Sequence, residues 1–516
     1  MGKITAGLLC VAIMGSSGCV FDKDNKSANK TDTQLRELIS DAGLTGNPAA
    51  GRDIASILDP KAQLGMQLFF SKALGGDQDS ACVSCHHPAL GGGDGLSLPL
   101  GVGADNTDLL GPGRERSGSV LPNVPRNAPT TFNIALWDQV LFHDGRVESL
   151  SKIPGKNGSA GAIRTPDSAP GTADSNAGAN LTVAQSRFPV TSAAEMRGAS
   201  FEFGNSNQTV RDHLAARLAD TGAGSGELST PDADGIAGDD WQAAFEEVYK
   251  GEADVANLIS YARIADAIGA YENSQVFVDN PWKAYVEGDN SALSAAQKRG
   301  AMLFFRAADD GGAGCANCHR GDFFTDEKFH NIAMIQIGEG KGDGANNDDD
   351  FGRFRESKEL KDKYAFRTPT LLNIEVTGPY GHAGAYNNLQ DVIRHHLNPQ
   401  NAIDDFFASA LTWCHNIAQL SEVADCDALY THAEDNTRSA LTLLTDLQDK
   451  GLSKLQNISL DNAQVEDLVA FMQALTDPCV KSTSCIGQWI PDTSTTGAAG
   501  LQINAEDANM QPLLHN

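Results

Sequence analysis

Cations are scarce in this chain: 39 lysines and arginines stand against 67 aspartates and glutamates in 516 residues, a formal charge of −28. An electrostatic grip on nucleic acid or an anionic membrane surface would begin from repulsion, which argues against a nucleic-acid role. Aromatic residues make up only 7%. No apolar run reaches the ~18 residues a helix needs to cross a bilayer, which excludes a helical membrane-spanning protein. What remains is ordinary for a globular chain, 41% hydrophobic and long enough for two or three domains.

The first residues combine Lys3, an apolar stretch Leu8-Leu9-Cys10-Val11-Ala12-Ile13-Met14 and small residues Gly15-Ser16-Ser17-Gly18 before Cys19. Residues 1–18 read as an export signal. The Gly18-Cys19 junction resembles a lipoprotein cleavage box, so Cys19 is expected to carry a lipid, although Ser16 stands where such boxes hold a larger apolar residue; an ordinary cleavage site is the alternative. Export permits disulfides. The pairs Cys414/Cys426 and Cys479/Cys485 close short loops and are expected to bond within themselves, with connectivity not fixed by sequence.

Four other cysteines fall in two CxxCH runs, Cys82-Val83-Ser84-Cys85-His86 and Cys315-Ala316-Asn317-Cys318-His319. Two thiols there can bond a porphyrin's vinyl groups while the adjacent imidazole binds its iron. A zinc ribbon would use four cysteines on one ion and leave both histidines unexplained, as would a redox dithiol. Two covalently bound c-type haems are therefore expected, with His87 a bystander.

The chain repeats itself around these runs. Ala62-Gln63 and Leu68-Phe69-Phe70 precede the first; Ala296-Gln297 and Leu303-Phe304-Phe305 precede the second. Each reads as a helix with one apolar face leading into a haem loop, the first opened by Asp59-Pro60 and the second by a Ser294/Gln297 capping box. Arg126-Asn127-Ala128-Pro129-Thr130 with Asn133-Ile134 is repeated as Arg367-Thr368-Pro369-Thr370 with Asn373-Ile374, and His143-Asp144-Gly145 as His382-Ala383-Gly384. The fold class is mainly α: two tandem cytochrome c-like haem domains with long loops. The expected division is a tether over 19–48, a first haem domain over 49–285, a second over 286–490 whose C-terminal segment packs back on the first, and a flexible tail over 491–516. A helix over about Val255 to Tyr271 ends the first domain.

The copies differ in their supply of a second axial ligand. Fourteen residues after His382 stands His396, preceded by His395; the same offset after His143 reaches Asn157, in the Gly-, Ser- and Pro-rich stretch Lys152 to Asn180, read as a flexible loop. No histidine lies between His87 and His143 or between His143 and His213. The first haem is thus expected to be open to a small oxidant, and the second closed and suited to electron transfer. Asp232-Ala233-Asp234-Gly235 reads as a turn, because Ile236 and Ala243 stand where a calcium loop needs oxygen ligands. Asp348-Asp349-Asp350 reads as a solvated loop. Cys414 to Gly451, with His415 and His432, reads as a helical insertion.

Together the CxxCH runs, Arg-Asn-Ala-Pro-Thr, Phe-His-Asp-Gly-Arg, Glu195-Met196, Phe-Arg-Thr-Pro-Thr and Pro-Tyr-Gly-His-Ala-Gly resemble the bacterial di-haem cytochrome c peroxidase and MauG superfamily over roughly residues 50 to 480. The resemblance implies a peroxidatic haem 1 on His86 and an electron-transfer haem 2 on His319. It singles out Glu195 among 67 acids as the distal catalytic residue, with Gln185 and Pro189 beside it. His396 falls where the peroxidases place methionine and MauG tyrosine, implying a bis-histidine haem 2 of lower potential, with His395 the fallback. It further implies a calcium ion held by Asn127 and by the carbonyls of Thr377 and Pro379.

Two departures stand out. The loop before Arg126 lacks the histidine that blocks haem 1 in many classical members, Ser119 lying near its place, which implies a permanently open haem 1. His143 replaces the tryptophan usual between the haems, leaving the inter-haem route open, with Trp137 as the candidate substitute; His143 and His382 are otherwise expected to hydrogen-bond within their own turns. The expected activity is reduction of hydrogen peroxide with electrons from a small cytochrome c or cupredoxin, in the periplasm or cell envelope. The alternatives are a MauG-like oxidation of tryptophan or tyrosine in a partner protein, and a non-enzymatic di-haem electron carrier. A homodimer is left open.

Overall fold

A computed structural model describes residues 21–119, 121–228, 239–408, 413–421, 423, 426–491 and 501–513. The export signal, Cys19 and the Asp232 turn lie outside the described residues. Among those described, no helix is long and apolar enough to cross a membrane.

The fold is mainly helical, and its two modules are built alike. In the first, helix Pro60–Phe70 crosses helix Tyr261–Ser274; in the second, Ala295–Phe305 crosses Asn462–Gln473. The apolar faces read from the repeat meet inside, burying Leu64, Leu68 and Phe69 in one crossing and Ala301, Met302 and Phe304 in the other. Each crossing depends on one glycine. A Cβ on Gly65 would stand 1.9 Å from the Ala267 carbonyl oxygen, and one on Gly300 1.9 Å from that of Asp467. Gly65→Ala and Gly300→Ala must therefore push two packed helices apart. Each is expected to cost about 1–3 kcal/mol, read from denaturant unfolding of the intact protein; an unchanged midpoint would disprove the close crossing.

Local signals explain where these helices start. Ser294 and Gln297 form the expected box, Ser294 N–H donating to Gln297 Oε1 at 2.7 Å and Gln297 N–H to Ser294 Oγ at 3.3 Å. Asp59 caps differently, its carboxylate accepting from the Ser56 amide rather than from the helix. The helix expected over Val255 to Tyr271 is broken into Val255–Leu258 and Tyr261–Ser274, because Asp254 caps the first piece and the chain re-enters at Ser260.

Repeated residues of the two modules meet at a shared backbone carbonyl. Asn133 and Asn373 both adopt left-handed backbone (φ 62° and 64°), and both send Nδ2–H to the Phe277 carbonyl, at 3.1 and 3.0 Å. Nearby the modules exchange backbone bonds: Asn127 N–H donates to His382 O at 2.9 Å and Arg367 N–H to His143 O at 2.8 Å.

Several expectations are corrected. Asp349 and Asp350 are buried rather than solvated, since Asp350 receives Arg126 from the other module. The stretch Lys152 to Asn180 is irregular but pinned: the Asp138 carboxylate accepts the amides of Gly155, Lys156 and Asn157 at 2.7 to 2.9 Å, and Arg164 pairs with Glu356 at 2.5 Å. The tether is helix Phe21–Asp41 for most of its length, with Leu35 and Ile39 in the core of the second module. Residues 501–513 are no loose tail: Ile503 is buried and its amide donates to Phe70 O at 2.9 Å. Trp489 lies on the first module, where Tyr271 Oη donates to its carbonyl at 2.8 Å. Cys414–Cys426 and Cys479–Cys485 are bonded.

Candidate haem centres

Cys82, Cys85, Cys315 and Cys318 are free thiols, each pair on a tight turn that presents the following histidine. His86 Nδ1 lies 3.2 Å from the Gly92 carbonyl. A carbonyl only accepts, so Nδ1 carries the proton and Nε2 keeps a lone pair for a metal. Its ring lines a cavity together with Cys82, Cys85, Arg126, Gln185, Pro189 and Glu195, among others. Two free thiols, an uncommitted imidazole nitrogen and this space fit a covalent haem.

His319 repeats the arrangement, with Nδ1 within 3.2 Å of Phe324 O and 3.1 Å of Pro369 O. Facing it is His396, ring centres 6.3 Å apart, with Nδ1 committed to Val392 O at 2.8 Å. Two imidazoles sharing one metal, each nitrogen about 2 Å from it, place their ring centres at about this separation. The fit to a bis-histidine haem is good. His395 is spent: Nε2 meets Ile332 O at 2.9 Å and Nδ1 meets the Tyr386 hydroxyl at 2.8 Å.

The distal side of the first centre is held by backbone. Pro189 opens a short turn, and Ala193–Arg197 then forms one wide π turn, Arg197 N–H donating to Ser192 O at 2.9 Å. Such turns re-aim side chains. Gly76 and Gly101 let neighbouring loops touch this segment: Gly76 N–H donates to Met196 O at 2.8 Å, and a Cβ on Gly101 would stand 2.2 Å from Ala194 O. Burial raises the Glu195 carboxyl above its usual range, opposed by Arg146, Lys341, the Ser192 hydroxyl and Arg126. Glu195 also lines a second, open space of about 680 Å³, a vestibule whose wall includes Tyr430 and Asn436 from the insertion. The insertion thus walls the way to Glu195, and His432 and Asn436 fasten it to Asp348.

His143 lines the first cavity and donates from Nε2 to Asn127 O at 3.0 Å; burial and Arg126 push its pKa down to about 4, so it is neutral. His382 stacks on Phe366 at 3.7 Å and meets Gln336 Oε1 at 3.3 Å. Both bonds leave their turns, contrary to expectation, because each turn is pressed against another loop. Trp137 lies under the Arg367 guanidinium at 3.4 Å and edge-on to Phe323 at 5.2 Å, beside the loop that carries His319. One buried acid in the first cavity escaped the sequence reading: Glu272, with Oε2 unpartnered and its pKa pushed up to about 8 by burial. It sits in an ordinary amphipathic pattern, with no signal to mark it.

The family model for di-haem cytochrome c peroxidase matches residues 59–291. The methylamine utilization protein MauG of Methylorubrum extorquens is 27% identical over 337 residues, covering 65% of this chain and 68% of its own. The cytochrome c551 peroxidase of Pseudomonas aeruginosa is 26% identical over 338 residues, covering 65% and 71%. A crystal structure of a MauG-like protein associated with microbial copper homeostasis superposes with a TM-score of 0.49 at 21% identity, over 83% of this chain and 92% of that one. Residues 59–291 thus match the di-haem cytochrome c peroxidase family, and the chain with its two CxxCH runs is similar to both the peroxidases and the MauG proteins.

Proposed function

We propose that this protein reduces hydrogen peroxide to water, drawing electrons one at a time from a small cytochrome c or cupredoxin. One observation carries the reading: the imidazole of His86 faces a cavity containing a carboxyl, Glu195, that opens to a vestibule, whereas the imidazole of His319 faces a second imidazole. The haems, attached through the four free thiols and bound by His86, His319 and His396, supply the iron and the electron storage. Peroxide, two electrons and two protons give two waters. Glu195 takes the proton from one peroxide oxygen and returns it to the other as the O–O bond breaks. The Gln185 amide orients the oxidant, and the Pro189 ring, which has no N–H, walls the pocket without competing for it.

A MauG-like oxidation of a partner protein is the second reading. It is favoured by the cavity lining, which among the described residues holds no histidine except His86 and His143. The calcium ion is likewise a proposal, with Asn127, whose Nδ2 donates to Leu96 O and Ser97 O, offering Oδ1 and with Thr377 and Pro379 offering carbonyls. The proposed location is the periplasm or cell envelope, with Cys19 as lipid anchor.

Electron paramagnetic resonance of the ferric protein tests the reading. The expected spectrum has a high-spin signal beside a low-spin one, and stoichiometric peroxide removes the high-spin signal. His396→Ala is expected to convert the low-spin signal to high-spin, while His395→Gln leaves it low-spin. Two low-spin signals indifferent to peroxide would instead make the protein an electron carrier. Rapid oxidation of a reduced small cytochrome, against modification of a co-purified protein, separates the first two readings.

A further inference from the structure

The neck between the cavity and the vestibule is shared by Pro125, Glu195 and Lys341. Lys341 comes from the second module, in the loop Gly338-Glu339-Gly340-Lys341-Gly342, whose three glycines all have positive φ (88°, 59° and 78°). A Cβ on Gly340 would stand 2.4 Å from Asp348 O, so the loop is held tightly folded. The Lys341 amide donates to Asp349 O at 2.9 Å and its carbonyl accepts from Arg355 Nη1 at 2.9 Å. The backbone is fixed on both sides, and the side chain lines the same two spaces as Glu195.

The surrounding charges are unequal in their commitments. Arg126 is bound to Asp350 and Asp144, each at 2.6 Å, and Arg146 leans on Asp144 at 3.2 Å. Glu339 and Asp348 line the vestibule, where His432 and Asn436 already engage Asp348. Among the described residues Lys341 is in no ion pair of its own. Burial, Arg126 and Arg146 all weigh against its charge, and Glu195 and Asp144 favour it. An ammonium left in such a place, beside a carboxyl that burial drives toward the neutral form, has an electrostatic use.

We propose that Lys341 is a positioning residue for the distal acid: its ammonium, delivered by the second module, keeps Glu195 ionised at the neck, ready to accept the oxidant's proton. This rests on Glu195 being the proton carrier. It also gives the second module a direct hold on the chemistry of the first, separate from electron transfer.

The test is an infrared pH titration of the resting, haem-loaded full chain. The protonated Glu195 carboxyl band is identified by its loss in Glu195→Gln. Lys341→Met is expected to raise the midpoint of this band by about one pH unit or more, with the acid limb of kcat/KM for peroxide moving equally. Lys341→Arg should restore both. An unmoved midpoint in Lys341→Met, confirmed in Lys341→Gln, overturns the proposal; so does an unmoved midpoint with a changed haem 1 potential, which would pair the lysine with a porphyrin carboxylate. Because the titration needs no turnover, a Glu195→Gln protein with full peroxide activity would sink the functional reading while leaving the band shift to be judged separately.

Discussion

Glu195→Gln is expected to slow the reaction of the haem-loaded protein with peroxide by about 10² to 10⁴-fold, the range attributed to a positioned general acid–base group. Glutamine keeps the size and the hydrogen-bonding reach of the side chain but cannot receive a proton and return it. The geometry predicts a selective loss. Glu195 lies on a π turn pinned by Gly76 and Gly101, so the substitution should leave the backbone in place. His319 and His396 form the other centre, whose low-spin signal should therefore be unchanged. Stopped-flow mixing with peroxide measures the rate, and wild-type speed in the variant would remove Glu195 from the mechanism.

Asp350→Asn should be among the most damaging changes to stability, lowering it by about 3–5 kcal/mol. Arg126 reaches Asp350 through Nε and Nη2, at 2.6 and 2.8 Å, and Asp144 through Nη1 at 2.6 Å, all out of solvent. Loss of one partner leaves a buried guanidinium half compensated. Burial alone would raise the Asp350 carboxyl; Arg126 outweighs it and holds the carboxyl down at about 2. A carboxylate depressed on folding stabilises above its unfolded pKa, about 4, and that contribution is lost as pH falls through about 2. The wild-type protein should therefore lose stability between these limits, and the variant should show a weaker acid dependence there. Denaturant unfolding at pH 7 and over the acid range measures both, and a variant as stable as wild type would show that the pair does not clamp the modules.

The same residue shows where sequence reading stopped. Asp348-Asp349-Asp350 looked solvated because three adjacent acids are ordinarily exposed. Only the fold brings Arg126, more than two hundred residues earlier, to meet the third of them. Lys152 to Asn180 looked flexible from its Gly, Ser and Pro content, yet Asp138 fixes its backbone from outside the segment. Lys341 lay unremarked in a glycine-rich loop. Its meaning depends on the vestibule, which needs both modules and the insertion to exist.

The sequence by itself determined the parts that rest on local covalent spacing and short-range periodicity: two CxxCH runs, the duplicated helices before them and the capping box at Ser294. These are legible because neighbouring residues in the chain must act together. The repeat offset drew attention to His395 and His396, and the resemblance chose His396 and added Glu195, which no local rule distinguishes from other acids. The tertiary structure decided the rest. It turned His396 rather than His395 toward His319, placed Glu195 between a cavity and a vestibule, and bound the modules through Arg126 and Asp350. These outcomes depend on which distant surfaces exclude water together, so a buried ion pair and an exposed acidic loop can share the same local sequence.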